Sequence, residues 1–363
     1  MYTVSDRTCS SASAPRSRPT RCTSSRRSRY RRAKRLRARR RATLRTRSSL
    51  SGICSKSRRR VTRYFAQAAT AQATLSPRLS RSSSEALYAK NSAHGAGYSS
   101  TTPTNTMTIY SWNILYRNRR LDRVFSFIAQ SDFDIFCLQE VPEYFLKRLQ
   151  TLPYSIAYRT DVERLFKRDI VRNFNVILSR HPITAQGEIP HDEYWPLLPF
   201  YTRFFVRLIP SFSKVRNRGG LYADITANAV SLRIFNLHLI LAHPAWRLKE
   251  FEAAMAKRDA SRPTIVCGDF NTLEARHIAP LNWILGGRIS DALFHRRERI
   301  RIEQRFVEHE LVNALSGEIT HPFSRSQLDH ILVSQSLSIK HAEVLRDRMG
   351  SDHHPIRVEL APM

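Results

Sequence analysis

Six stretches of the chain end in residues able to do acid–base or ligand chemistry. Trp112 is followed by Asn113, Leu138 by Gln139-Glu140, and Asn236-Leu237 by His238. Gly268 leads to Asp269-Phe270-Asn271, Leu328 to Asp329-His330, and Ser351 to Asp352-His353-His354. Most of these groups close a short apolar run, where a side chain is held on a rigid platform at the rim of a sheet. One acid after a strand is an ordinary turn residue; six such ends make a hydrophilic rim. Attack of water on a phosphate ester needs that inventory: a cation, a water activator, a cradle for the equatorial oxygens and help for the leaving oxygen. A hard divalent cation such as Mg²⁺ takes oxygen ligands and keeps several waters, so one or two carboxylates suffice. Glu140 suits the cation, because it ends a nearly all-apolar strand. Asp269 and Asn271 point the same way if the backbone stays extended, one to orient a water and the other to donate to a phosphoryl oxygen. Asp329 and His353 suit a carboxylate–imidazole pair that fixes a tautomer and stabilises imidazolium.

Short runs rich in Val, Ile, Leu and aromatics must position these groups: Ile109–Trp112, Ile135–Leu138, Val176–Leu178, Leu221–Ile225, Leu232–Leu239, Thr264–Cys267, Leu328–Val333 and Ile356–Leu360. Their length and composition predict strands. Leu121, Val124, Phe125 and Ile128 follow helical spacing, and Trp246 to Lys257 is a second amphipathic helix. Many direct strand-to-strand connections with few helices predict an α+β fold with two packed sheets. Period-2 alternation turns His330 and His354 away from their neighbours in the rim. Cys137 and Cys267 lie inside apolar strands and serve as small core residues.

The order of these motifs resembles the endonuclease/exonuclease/phosphatase superfamily. The stretches that carry it are Ser111-Trp112-Asn113, Leu138-Gln139-Glu140, Asn175 to Ile183 (Asn-Val-Ile-Leu-Ser-Arg-His-Pro-Ile), Asn236-Leu237-His238, Gly268-Asp269-Phe270-Asn271, Leu328-Asp329-His330-Ile331 and Ser351-Asp352-His353-His354-Pro355. They run through almost the whole of 107–363. The resemblance implies a four-layer α/β/β/α sandwich, as in the deoxyribonucleases, with the site at one end of the facing sheets. It implies Glu140 as ligand of Mg²⁺ (Mn²⁺ as the alternative), with Asn113 and Asp352 completing or supporting the metal shell. It assigns catalysis to His238, Asp269, Asn271, Asp329 and His353, with His238 donating to the phosphate. Asn175 fits the family's Asn-x-x-x-Ser-Arg pattern and is expected in the substrate cleft. Leu115 stands where abasic-site endonucleases carry a metal-binding acid, and Asp329-His330 replaces their Asp-Tyr wording, so abasic-site repair is disfavoured.

The expected activity is hydrolysis of a phosphodiester, nucleic acid being preferred over phospholipid. A phospholipid or inositol-phosphate hydrolase is the alternative, and a non-catalytic binding protein on the same fold is a third reading. No obligate protein partner is implied. Tyr194 to Pro210 holds six aromatics interleaved with Arg203 and Arg207. Such an insertion stacks bases, lies in a lipid interface, or simply packs on the sandwich. The mixed-charge stretch from His295 to Arg305 is expected to be a solvated helix face.

The chain's 60 basic and 30 acidic residues give a formal charge of +30. The first hundred residues hold 25 basic and 2 acidic side chains, so 60 − 25 = 35 basic and 30 − 2 = 28 acidic remain in 101–363. The high pI therefore belongs to the leading segment. Five cysteines without a CxxC pair exclude a disulfide scaffold and a zinc finger. No apolar run of about 18 residues occurs. The Arg/Ser-rich segment 1–106 is expected to be disordered: an inert or mis-assigned extension, a transit segment, or a basic arm for nucleic acid. Intracellular location is favoured, with organelle targeting by the basic leader as the alternative. A chain of residues 107–363 should therefore unfold in one cooperative transition. Loss of that transition after removal of 1–106 would show that the extension is part of the fold.

Overall fold

The computed structural model describes residues 106–166, 169–208, 214–227, 229–294 and 296–362. Apart from Thr106, the expected disordered extension lies outside the described residues.

Two mixed sheets face each other. The first runs β12-β13-β1-β2-β4-β3-β6, where β1 is Met107–Asn113, β2 Ile135–Pro142, β3 Ser155–Phe166, β4 Asp169–Ser179, β6 Lys214–Arg216, β12 Ile339–Val344 and β13 Ile356–Leu360. The second runs β10-β11-β9-β8-β7-β5, built from β5 Ile183–Pro190, β7 Gly219–Ala227, β8 Val230–His238, β9 Thr264–Asp269, β10 Leu311–Asn313 and β11 Asp329–Ser334. β1 pairs with β2, and β8 with β9, in parallel; the other ladders are antiparallel.

Alternation along each strand separates three apolar layers. Between the sheets lie Ile109, Cys137, Ile177, Ala223, Ile234, Cys267 and Ile331. The outer face of the first sheet presents Trp112, Phe136 and Leu138 to helices α1 (Leu121–Gln130) and α2 (Glu143–Leu149), which contribute Val124, Ile128 and Phe145. The outer face of the second presents Phe235, Leu237 and Val266 to α4 (Pro244–Met255) and α7 (Arg297–Glu308) through Phe251, Ile302 and Phe306. The result is the α/β/β/α sandwich expected from the sequence. Three shorter helices complete the chain: α3 (Phe200–Leu208), α5 (Ala279–Ile284) and α6 (Ile289–Leu293).

The inward-facing rows change character along their length. Ile109 gives way to Ser111 and Asn113, Cys137 to Gln139, Ile177 to Asn175, Ile234 to Asn236 and His238, and Ile331 to Asp329. Where apolar gives way to charged, buried amides tie the sheets together. Asn236 Nδ2 donates to the carbonyls of Leu138 and Val176, both at 2.9 Å, and Gln139 Nε2 donates to Asn236 Oδ1 at 2.7 Å. Both side chains are wholly buried, so these bonds replace water that cannot enter.

The stretch from His295 to Arg305 departs from expectation. In α7, Arg299 and Glu298 are buried rather than solvated. Arg299 meets Glu274 and the carbonyl of Gln327, while Glu298 receives the wholly buried Arg247, whose Nη2 lies 2.7 Å from Oε2. Paired charges on neighbouring elements make that burial tolerable. Strands β3, β5, β6, β10 and β12 also went unread, being polar, short or at the margins of the sheets.

Replacing Asn236 by Leu should cost about 3 kcal/mol or more, since it takes the side-chain donor from two carbonyls and the shortest acceptor from Gln139 Nε2 in a dry layer. Urea unfolding measures this. A loss below about 1 kcal/mol would mean that the amide tie is incidental.

Candidate active site

Three adjacent strands of the second sheet set the centre by register. His238 in β8 lies opposite Asp269 in β9, which lies opposite Asp329 in β11. Gly268, just before Asp269, has φ +140°, and a Cβ there would stand 1.8 Å from the Leu237 carbonyl oxygen. Only glycine lets the strands close so tightly at this point.

Two imidazoles converge on one carboxylate. His238 donates from Nδ1 to Asp161 Oδ2 at 2.7 Å, leaving Nε2 3.7 Å from Asp269 Oδ2. His353 donates from Nδ1 to Asp329 Oδ2 at 2.8 Å, and its Nε2 also stands 3.7 Å from Asp269 Oδ2. Asn113 Nδ2 donates to the same oxygen at 3.0 Å. The loop carrying His353 is pinned to β1, because Ser351 Oγ donates to the Asn113 carbonyl at 2.7 Å and Trp112 Nε1 to the His353 carbonyl at 3.1 Å. Both sheets therefore build one site.

Its electrostatics follow from burial and pairing. Burial opposes charge on His238, but Asp161 and then Asp269 outweigh it and raise its pKa to about 9. His353 is likewise opposed by burial and held well above the usual imidazole value by Asp329 and Asp269. Burial pushes the Asp269 carboxyl up, against the pull of His353 and His238. For Asp352 burial acts upward, but the facing His321 N–H and the His353 charge prevail and hold it well below the usual carboxylate range.

Glu140 stands at a break in the β2–β4 ladder between Leu138 and Val141, with φ +55°. The left-handed turn redirects a side chain that regular alternation would send outward with Leu138. Its Oε1 accepts from Arg164 at 3.2 Å and Oε2 from the Tyr116 amide at 3.1 Å, and its charge reaches His238. Asp352 Oδ1 is a buried carboxylate oxygen with no hydrogen-bond partner. Among the described residues, two clusters bring His and Asp ligand atoms within 4.8 Å of one another: His321, Asp352 and His353, and Asp269, Asp329 and His353. Glu140 belongs to neither cluster; Asp352 does, and its Oδ1, which accepts no hydrogen bond and has His353 Nε2 3.9 Å away, is an oxygen donor of the kind a hard divalent cation takes.

Asn271 departs from the extended backbone on which its pairing with Asp269 depended. Its φ is +51°, its amide N–H donates to Asp269 Oδ1 at 2.8 Å, and its Nδ2 donates to the Leu239 carbonyl at 2.9 Å. Asn175 is wholly buried beneath the rim, donating to the Gly219 carbonyl at 3.1 Å with Asp161 Oδ1 at 3.5 Å. His330 and His354 point elsewhere, as alternation predicts. The His330 ring stacks on Phe270 at 4.6 Å and takes a bond from Arg299; His354 donates to the Leu345 carbonyl.

Three participants escaped the sequence reading. Asp161 sits in β3, a strand too polar to register as one. Arg164, three residues on, lies over the Tyr116 ring at 4.2 Å. His321 stands 4.7 Å from His353, ring to ring. The Ser324 amide donates to His321 Nδ1 at 3.2 Å, so the proton belongs on Nε2, facing Asp352 Oδ2 at 3.7 Å. His321 thus turns its N–H toward Asp352 at ion-pair range, too far for a hydrogen bond. Its one sequence signal was a His-Pro step eight residues before Asp329.

No curated protein matches the chain. A solved structure of an endonuclease/exonuclease/phosphatase from Beutenbergia cavernae is similar at 15% identity, over 71% of this chain and 72% of that one, with a TM-score of 0.52. A family protein from Bacteroides thetaiotaomicron matches at 19% identity, covering 70% and 97%, TM-score 0.48. The human Nocturnin catalytic domain matches at 16%, covering 71% and 95%, TM-score 0.48. At 15% identity the first likeness is one of fold. The sequence profile of the Endonuclease/Exonuclease/phosphatase family reaches further, matching residues 110–353 and so taking in every residue of the rim described above. Fold, profile and rim agree: the chain belongs to the endonuclease/exonuclease/phosphatase family, whose members are phosphoesterases.

Proposed function

We propose that the chain is a divalent-cation-dependent phosphodiester hydrolase, with nucleic acid as substrate in preference to phospholipid. The observation that carries the chemistry is Asp269 held between two imidazoles, each backed by its own carboxylate. Glu140 and Asp352, supported by Asn113, would hold the cation, Mg²⁺ or alternatively Mn²⁺, which would supply charge neutralisation at the phosphoryl oxygens. His238 and His353 stay protonated at neutral pH and present Nε2–H donors to the developing negative charge. Asp269 orients the attacking water and takes its proton. Asn271 holds the β9 turn, through Leu239 and Asp269, that keeps this carboxylate aimed. Asp329 and Asp161 fix the imidazole tautomers and stabilise their charge. Asn175 supports Asp161 and the inter-sheet packing from below.

Preference for nucleic acid rests on a groove of about 660 Å³ lined in part by Tyr116, whose amide donates to Glu140, and by Arg117, Arg119, Tyr144 and Arg148, the last paired with Asp122. Arginines beside aromatic rings suit phosphates beside bases. Phospholipid is the second reading, favoured by exposed apolar side chains on the segment after β5.

Asp269→Asn and His353→Ala should each lower kcat by about 10²–10⁴-fold on a small phosphodiester, and Glu140→Gln should raise the Mg²⁺ concentration needed. His354→Ala is the control. Parent-like turnover in EDTA, or a His354 variant as inactive as the His353 one, would sink the proposal. A DNA, RNA and phospholipid panel run in parallel decides the substrate.

The raised pKa of His238 makes a separate prediction. Its folded value, about 9, exceeds the unfolded reference of about 6.5. Its contribution is therefore full below about pH 6.5 and lost as pH rises through about 9. In EDTA, the stability gap between the parent and His238→Gln should shrink by about 3 kcal/mol between pH 6 and pH 10. A gap independent of pH would show that the imidazole is not charged in the fold.

A further inference from the structure

The segment after β5 does not bury all of its aromatic residues. Leu198 and Thr202 face inward: Leu198 packs with Ile240, Ala242 and Leu285, and Thr202 Oγ1 donates to the Ile284 carbonyl at 2.8 Å. Leu197, Phe200 and Phe204 face outward, with the Phe200 and Phe204 rings 6.5 Å apart one helical turn along α3. Trp283 of α5 joins them, stacked on Tyr201 at 5.7 Å. Ile289 and Leu293 of α6, and Phe294 after it, are likewise exposed. The three helices meet at Gly286, whose φ is +103°. A Cβ there would lie 3.2 Å from Pro199 Cδ and 3.3 Å from Leu198 Cδ2.

Seven of the sixteen large hydrophobic side chains exposed among the described residues lie on this one assembly, each between 39% and 77% exposed. Such clustering marks a contact surface. Its charge says which kind. Tyr194 to Leu208 contains Arg203 and Arg207 and no acid. From Ala275 to Arg297 the bases Arg276, Arg288, Arg296 and Arg297 are all exposed, while the one acid, Asp291, is buried and accepts from the Arg288 amide. Leu197, Ile289 and Leu293 have no π face for a base to stack on, which argues against a nucleic-acid partner here. Exposed apolar side chains on helices whose exposed charges are arginines fit acyl chains below and anionic headgroups around them.

We propose that α3, α5 and α6 form a docking surface for an anionic phospholipid bilayer, which the protein touches without crossing. Ile240 and Ala242, which pack against this assembly, lie two and four residues after His238, so docking would bring the active-site rim toward the headgroups. The surface needs no turnover and stands whether or not the site hydrolyses a phosphodiester.

The test uses the full chain and vesicles of phosphatidylcholine with about one third phosphatidylglycerol, acyl chains brominated, in salt high enough to screen the basic leading segment. Tryptophan fluorescence should be quenched in the parent. Phe200→Ser combined with Leu293→Ser should weaken partitioning at least tenfold. Ile300→Ser with Val307→Ser, equally exposed on α7, should leave it unchanged, and far-UV circular dichroism confirms that both double variants fold. Absent quenching in the parent, or equal losses in the α7 variant, would overturn the proposal. So would a dimer in vesicle-free solution that the Phe200/Leu293 variant abolishes, because the face would then be a protein contact.

Discussion

Buried amides, Asn236 foremost, join the two sheets at the level where the core stops being apolar. Asn236 reaches from β8 to the carbonyls of Leu138 and Val176, and Gln139 reaches back to it. Below this layer dispersion and burial hold the sheets together. Above it the inward side chains are polar, chiefly acids, amides and imidazoles, and they would no longer face their partners across the cleft if the sheets slid. The amides are directional where the apolar core is not, so they fix the relative position that the active site inherits.

That inheritance matters because the site is an electrostatic balance and not a set of independent groups. Asp269 lies at 3.7 Å from the Nε2 of both His238 and His353, and the outer carboxylates Asp161 and Asp329 hold each ring from behind. Asp161 comes from the first sheet, while Asp269 and Asp329 come from the second. Displacing one sheet would draw His238 away from Asp161 and would draw His353, whose loop is pinned to β1, away from Asp329 and Asp269, so both imidazoles would lose the carboxylates that keep them charged. Burial supplies the other half of the effect, since these same pairs would be weak in water.

Much of this was legible from residue type and spacing. Asn113, His238, Asp269 and Asp329 follow a period-2 logic that needs only an apolar run and its end residue, whereas Glu140 departs from it through a left-handed backbone and His353 lies in the bend before β13. The alternation that turned His330 and His354 away held for the same reason. What stayed hidden depends on folding back. Asp161 and Arg164 belong to a strand whose polar residues are buried by partners far away in sequence, so no local periodicity reveals it. Asn271 looked extended because nothing in Gly-Asp-Phe-Asn announces a left-handed residue. Arg299 and Glu298 looked solvated because their partners, Glu274 and Arg247, sit on other elements. Asn175 matched a pattern, yet its amide is spent beneath the rim.

The register row His238–Asp269–Asp329 has a consequence for descent. Its spacing is written in the backbone ladder, so any sequence that keeps β8, β9 and β11 paired keeps the reacting groups aligned. The segment after β5, the turn after β1 and the start of α2 lie outside that row. They can lengthen, shorten or exchange aromatics for charges without shifting an atom of it. The ladder that aligns this row and the loops that border it are thus separate parts of the chain, and the loops can be rewritten by selection while the ladder is merely copied.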